Sequence, residues 1–280
     1  MLLFIIPGSI IFLFLLIICL RWMSSRHRLL LSIIFILLVC TSSVSFIYLK
    51  GTFAKEQTVY HYPETASDTN NHELIKIKNK VLLNASVVTQ YPQLARGCEV
   101  TSLAMLLQYA GIEKADKMKL AEQIAKDPSA YSNKNGSVRF GNPNTGFVGD
   151  IYTYSKPGYG VYHGPVAKLA ARYLGDMVID LTGSSFDILK MYLSAGKPVW
   201  VITNTDYKKL PSAYFQTWQT HEGPIKVTFK EHSVLITGYD EHYIYFNDPL
   251  TGQKNKKKPK DAFISSWVQM GSQAISLSIN

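Results

Sequence analysis

Two apolar runs, Leu2–Leu20 and Leu29–Leu49, occupy almost all of the first fifty residues. Each is about as long as a bilayer-spanning helix, although Pro7 and Gly8 interrupt the first. Between them lies Arg21-Trp22-Met23-Ser24-Ser25-Arg26-His27-Arg28, whose arginines and interfacial Trp place this short junction on the cytoplasmic side by the positive-inside rule. Both chain ends then lie outside. Two further readings stand beside this two-helix anchor. Starting from Met23, a basic start, an apolar core Leu29–Val39 and small residues Ser43-Val44-Ser45 resemble a cleaved secretory signal. Leu37-Leu38-Val39-Cys40 has the outline of a lipid-anchor box, with Val39 bulkier than such a box expects. All three readings export the rest of the chain. Residues 51–80 lack apolar periodicity and read as a linker, leaving 81–280 as the folded domain.

Charge is as unevenly distributed as hydropathy. Every acidic residue lies after position 50, and three of the 29 Lys and Arg lie before it, so +9 less three leaves +6 on the remainder. That excess suits an anionic wall or lipid surface. The lysine run Lys254, Lys256, Lys257, Lys258, Lys260 reads as a solvated loop or as part of such a surface. No pattern of stacking aromatics among basic residues argues for a nucleic-acid partner.

From position 81 onward the apolar pattern gives a short strand near Val81 and a helix opened by Cys98, with Val100, Leu103, Ala104, Leu107 and Ala110 on one stripe. Further helices are expected over 118–124, 165–174, 185–195 and 261–269, and strands over 198–203, 231–237, 243–247 and 274–279. Residues 131–164, rich in Gly, Asn, Pro and Tyr, read as a long irregular segment. Helices first and strands later make an α+β protein, without the βαβ alternation of a nucleotide-binding sheet.

Three cysteines are present, and Cys98 is the one outside the apolar stretches. A lone thiol cannot cross-link its own domain. At a helix N-terminus the unpaired backbone N–H groups favour thiolate, the form that attacks carbonyls. Downstream, Glu231–Ile236 and Ile244–Asp248 flank the polar turn Gly238–His242 and read as a hairpin. A turn centred on Asp240 would set Ile236 opposite Ile244, Val234 opposite Phe246 and His232 opposite Asp248. One apolar face would then end in an imidazole beside a carboxylate, the pairing that fixes a catalytic tautomer. His163 and the tyrosines at 152, 154, 159 and 162 are candidate cleft residues. No Cys/His/acid spacing suggests a metal or other cofactor.

Gln90, Gly97-Cys98-Glu99-Val100-Thr101-Ser102-Leu103-Ala104-Met105, Glu231-His232-Ser233-Val234 and Asn247-Asp248-Pro249-Leu250-Thr251-Gly252 together resemble the C39-like cysteine peptidases. The resemblance covers residues 81–280 and implies a papain-like fold, with a helical part carrying the Cys and an antiparallel sheet carrying His and Asp. It further implies nucleophile Cys98, base His232, orienting Asp248, oxyanion donor Gln90 and a peptide or protein substrate. Glu99 stands where the bacteriocin-exporter relatives have Gly, so their double-glycine specificity does not carry over. Acyl transfer or amidase chemistry on the same triad, or a peptide-binding module without turnover, are the alternatives. The expected setting is a cell-membrane protein with an extracytoplasmic catalytic domain, or a secreted one if the N-terminus is cleaved.

Overall fold

The computed structural model describes residues 75–279. The expected membrane helices and most of the expected linker lie outside these residues. Among the described residues no helix is long and apolar enough to cross a membrane.

The first half contains strand β1 (Val81–Leu82), helices α1 (Cys98–Tyr109) and α2 (Lys117–Gln123), strands β2 (Lys126–Asp127), β3 (Ser132–Lys134), β4 (Ser137–Arg139) and β5 (Phe147–Val148), and helix α3 (His163–Leu174). Strand β6 (Val178–Asp180) and helix α4 (Phe186–Ser194) lead to strands β7 (Val199–Asn204), β8 (Gln216–Thr220) and β9 (Gly223–Val227). The chain continues through β10 (Glu231–Tyr239), β11 (Tyr243–Asp248), β12 (Gln253–Pro259), helix α5 (Lys260–Gln269) and β13 (Ala274–Leu277).

The main sheet runs β12-β11-β10-β7-β13-β6, with β1 added to β10, and all of its pairings are antiparallel. Side chains alternate between its two faces. Trp200, Ile202, Leu235 and Ile275 point into the core built around α1 and α3, while Val201, Val234, Ile236, Ile244 and Phe246 meet α4 and α5 on the other side. Because β7 is covered on both faces, its six residues are all buried and read as an unbroken apolar run.

Helix α1 sits deep against the sheet: every residue from Cys98 to Leu107 is buried. Two bonds fix its height and rotation. Trp200 Nε1 on β7 donates to the Glu99 carbonyl at 3.0 Å, and Ser102 Oγ donates to the Ser233 carbonyl of β10 at 3.1 Å. The start of α1 is thereby held to the start of β10.

Three expectations need correction. The β10–β11 register pairs Ile236 with Phe246 and Tyr239 with Ile244, with a bulge between Ile236 and Gly238. On the His232 side of the bulge the offset is two residues from the simple hairpin, an even number, so His232 and Asp248 keep a common face but lie diagonally rather than directly opposite. Residues 131–164 are not uniformly irregular: β3 and β4 join the β8–β9 hairpin in a second, four-stranded sheet. Its strands are short and mostly polar on the surface, so periodicity barely marks them, and Phe140, Val148, Tyr159, Trp218 and Val227 form its small core. The lysine run is strand β12 up to Lys258, with Lys260 opening α5, rather than a loop, and it pairs with β11 through Ile244–Lys258, Tyr245–Lys257 and Phe246–Lys256.

Strand β1 approaches β10 so closely that a methyl group at Gly238 would lie 2.1 Å from the Val81 carbonyl oxygen. Backbone on both sides leaves nothing to yield. Gly238→Ala is therefore expected to destabilise the domain by about 1–3 kcal/mol, read as a lower urea midpoint with an unchanged slope.

Candidate active site

The site starts from a buried carboxylate. Asp248, wholly inaccessible at the end of β11, accepts from His232 Nε2 at 2.8 Å and from the Leu250 N–H at 2.9 Å through Oδ1. Its Oδ2 accepts from Tyr207 Oη at 2.9 Å, Thr251 Oγ1 at 2.9 Å and Lys256 Nζ at 2.7 Å. Burial, the largest single effect, pushes its pKa up. The His232 hydrogen bond and charge, with Lys256 and Tyr207, outweigh it and hold the carboxyl well below the usual range. Lys256 reaches Asp248 because it lies opposite Phe246, and its ammonium also sits 4.9 Å from the Tyr207 ring centre. Burial followed by the Asp248 charge and hydrogen bond drives the Tyr207 hydroxyl far up, so it remains a donor.

With Nε2 turned to Asp248, Nδ1 is the His232 nitrogen left for other work. His232 is 2% exposed and lines one cavity of about 300 Å³ with Cys98, Gln90, Glu231, Arg96, Tyr154, Tyr159, Phe229 and Leu250. Cys98 occupies the first turn of α1, where its own N–H has no partner within the helix. The expected pull toward thiolate is overridden. Burial first, then the carboxyls of Glu99 and Glu231, push the thiol well above its ordinary value, against the Ser233 backbone N–H that pulls down. The thiol donates to Glu99 Oε2 at 3.3 Å. Its proton therefore stays on sulfur in the resting state.

Glu99 and Glu231 were not anticipated from the sequence. One carboxyl oxygen of each and Cys98 Sγ lie within 4.8 Å of one another. Glu99 Oε1 accepts from the Val161 N–H at 2.7 Å, while Glu231 Oε1 is buried without a partner. Burial raises the Glu99 pKa to about 7, and burial together with the Glu99 charge raises Glu231 well above its ordinary value. Two full charges this close would repel by at least about 3 kcal/mol at an effective dielectric near 20. The pair keeps a proton instead, as two carboxyls in one site do. This is the one grouping among the described residues with spacing that could suit a cation; shared protons account for it, and no ligand role is assigned.

Gln90 does reach the cavity, but its Nε2 donates to the Ala95 carbonyl at 3.1 Å and the Leu94 carbonyl at 3.5 Å, and its Oε1 is buried and unpartnered. Of the aromatic candidates, Tyr154 and Tyr159 line the Cys98 cavity. His163 does not: its Nδ1 bonds Asp180 Oδ2 at 2.6 Å at the start of α3, beside a separate cavity shared with Tyr162. Phe229, 63% exposed, stands edge-on to Tyr159 at the cavity rim. Sequence reasoning also missed Tyr207 and Lys256. Lys256 had a signal in its spacing of eight from Asp248 on paired strands, whereas Tyr207 comes from a loop with none.

A profile of the peptidase C39-like family matches residues 82–275. Among curated proteins, the uncharacterized YvpB of Bacillus subtilis (strain 168) is 50% identical over 184 residues, which make up 66% of this chain and 70% of that one. A crystal structure of a candidate C39-like peptidase from Bacillus anthracis superposes with a TM-score of 0.67 at 49% identity, covering 72% of this chain and 98% of the other.

Lys256→Met keeps the stem over Tyr207 but removes a donor from Asp248. The variant is expected to lose about 1–3 kcal/mol at pH 7. A depressed carboxyl stabilises the fold above its ordinary value of 3.8 and loses that contribution as pH falls toward the folded value. Urea denaturation should therefore show the gap between the two chains closing below about pH 4.

Proposed function

Since the chain belongs to the peptidase C39-like family, we propose that it is a thiol peptidase in which Cys98 attacks an amide carbonyl, His232 carries the proton and Asp248 orients the imidazole. The observation that carries this reading is the buried His232–Asp248 pair opening onto the cavity that holds Cys98. A peptidase-type function is the family's own.

The resting thiol is protonated, so the mechanism is general-base attack rather than release of a preformed thiolate. The Sγ–H bond breaks as the sulfur–carbon bond forms, and its proton turns from Glu99 Oε2 and passes to His232 Nδ1. Asp248 accepts from Nε2–H throughout and stabilises the imidazolium. The negative charge on the carbonyl oxygen falls near the Cys98 N–H, a donor with no helical partner. Gln90 can add an N–H there by exchanging its bonds to the Ala95 and Leu94 carbonyls. The imidazolium then protonates the departing amine, and water, deprotonated by His232, cleaves the thioester. An amine in place of that water would give acyl transfer on the same residues.

The rim formed by Phe229, Tyr159 and Tyr154 favours an extended peptide with an apolar or aromatic side chain near the scissile bond. Attachment to the cell membrane through residues 1–50, with the catalytic domain outside, is supported by the two apolar runs and their arginine-rich junction. Secretion after cleavage is the variant of that setting. The +6 left after the three junction arginines are taken from +9 suits an anionic wall or lipid surface.

A peptidyl epoxide should add its mass to Cys98 of the full-length chain. His232→Ala is expected to slow that addition at least tenfold and to lower peptide turnover by about 10²–10⁴-fold. Equal modification rates with and without His232 would remove the proposed base. Product masses separate hydrolysis from transfer to an added amine.

A further inference from the structure

Glu99 immediately follows the thiol and Glu231 immediately precedes the imidazole. Their carboxyls meet over Gly160, where an added methyl group would lie 2.3 Å from Glu99 Oε1 and 3.1 Å from Glu231 Oε2. The missing Cβ at 160 is what gives the pair room. Glu99 thus receives the Val161 N–H on one oxygen and the Cys98 thiol on the other, with Glu231 alongside. We infer that Glu99 and Glu231 are positioning residues, joined by one shared proton that holds the start of α1 to the start of β10 and so keeps Cys98 in register with His232. This inference rests on the peptidase reading.

Its physical basis is the supply of donors. A proton on Glu231 gives its carboxyl a donor to offer Glu99 across a gap that would otherwise set two acceptors face to face. The groups facing the pair are the Cys98 thiol from α1 and the Tyr159 and Tyr162 hydroxyls from the segment that carries Gly160, and His232 lines the same cavity as Glu231. The thiol and the two hydroxyls offer no positive charge to a second carboxylate. Arg96 lines the same cavity, but its guanidinium is bound to the Asp150 and Thr153 carbonyls and lies over the Tyr154 ring.

Glu99 loses its proton first, as pH rises through about 7, which leaves the one shared proton on Glu231; the link is lost only at the higher pH where Glu231, itself raised well above its ordinary value, ionises as well. Alignment of sulfur and imidazole should therefore hold through neutral pH. Gln at 231 supplies an N–H donor at every pH; Leu supplies none.

The test measures alkylation of Cys98 by iodoacetamide in the full-length chain, read by peptide mass mapping between pH 6 and pH 9. Each rate is divided by that of the same chain carrying His232→Ala, which isolates the part due to the imidazole. In the wild type at pH 7 this ratio is expected to be at least about tenfold. In Glu231→Gln, which keeps a donor, it should stay within about twofold of the wild type, and in Glu231→Leu it should drop about tenfold. If the Leu variant does not fold, Glu231→Ala, which also removes the donor, carries the test. A Leu or Ala ratio equal to that of the wild type overturns the positioning role while leaving the peptidase reading intact. A wild-type ratio near one at every pH overturns that reading and the positioning role together.

Discussion

A full negative charge on a carboxylate without solvent contact has to be met by donors fixed in place, and Asp248 has five of them. They come from separate parts of the chain: the Tyr207 loop, His232 on β10, Leu250 and Thr251 just past β11, and Lys256 on β12. Leaving such a charge unmatched would cost several kcal/mol. The demand for donors therefore draws three neighbouring strands and a loop into one arrangement. The imidazole orientation is set by the same demand: once Nε2 is committed to Asp248, Nδ1 is the ring nitrogen that remains.

Around the Cys98 thiol the balance runs the other way. The cationic side chains Lys256 and Arg96 are occupied by Asp248 and by backbone carbonyls, while the carboxyls sit beside sulfur. A helix N-terminus is worth a fraction of a kcal/mol, rising to about 2 kcal/mol in a favourable partly buried setting. Burial and two carboxyls exceed that, which is why position at the start of a helix did not by itself create a thiolate. The charge pattern suits the proposed role of Cys98 as a nucleophile that remains neutral until its base and its target are both present.

Much of this could be read from the chain. The stripe from Val100 to Leu107, the buried run at 199–203 and the alternation on either side of the 240–242 turn locate the Cys helix and the sheet that faces it. Parity alone placed His232 and Asp248 on one face, and an even register error left that intact. What was hidden depended on three-dimensional closure. Glu99 and Glu231 are 132 positions apart in the chain, and each looks like an ordinary polar residue at the edge of an element. Tyr207 reaches Asp248 from a loop that carries no periodic signal. The second sheet lacks an apolar stripe because its strands are three to five residues long, with only a few side chains turned inward. The lysines of β12 were legible as charge, but not as a strand, since β-propensity disfavours such a run until its stems have rings to lie on.

The irregularity at Thr237 divides β10 into two stretches of opposite side-chain parity: Val234 and Ile236 enter the same core as Tyr239, three residues beyond Ile236. The extra residue acts as a mechanical joint. On its far side the strand answers to β1 and to the 240–242 turn; on its near side it answers to β7 and α1. The tip of the hairpin can consequently vary in length or twist, with the strain absorbed at the joint, while the half that bears the imidazole keeps its facing.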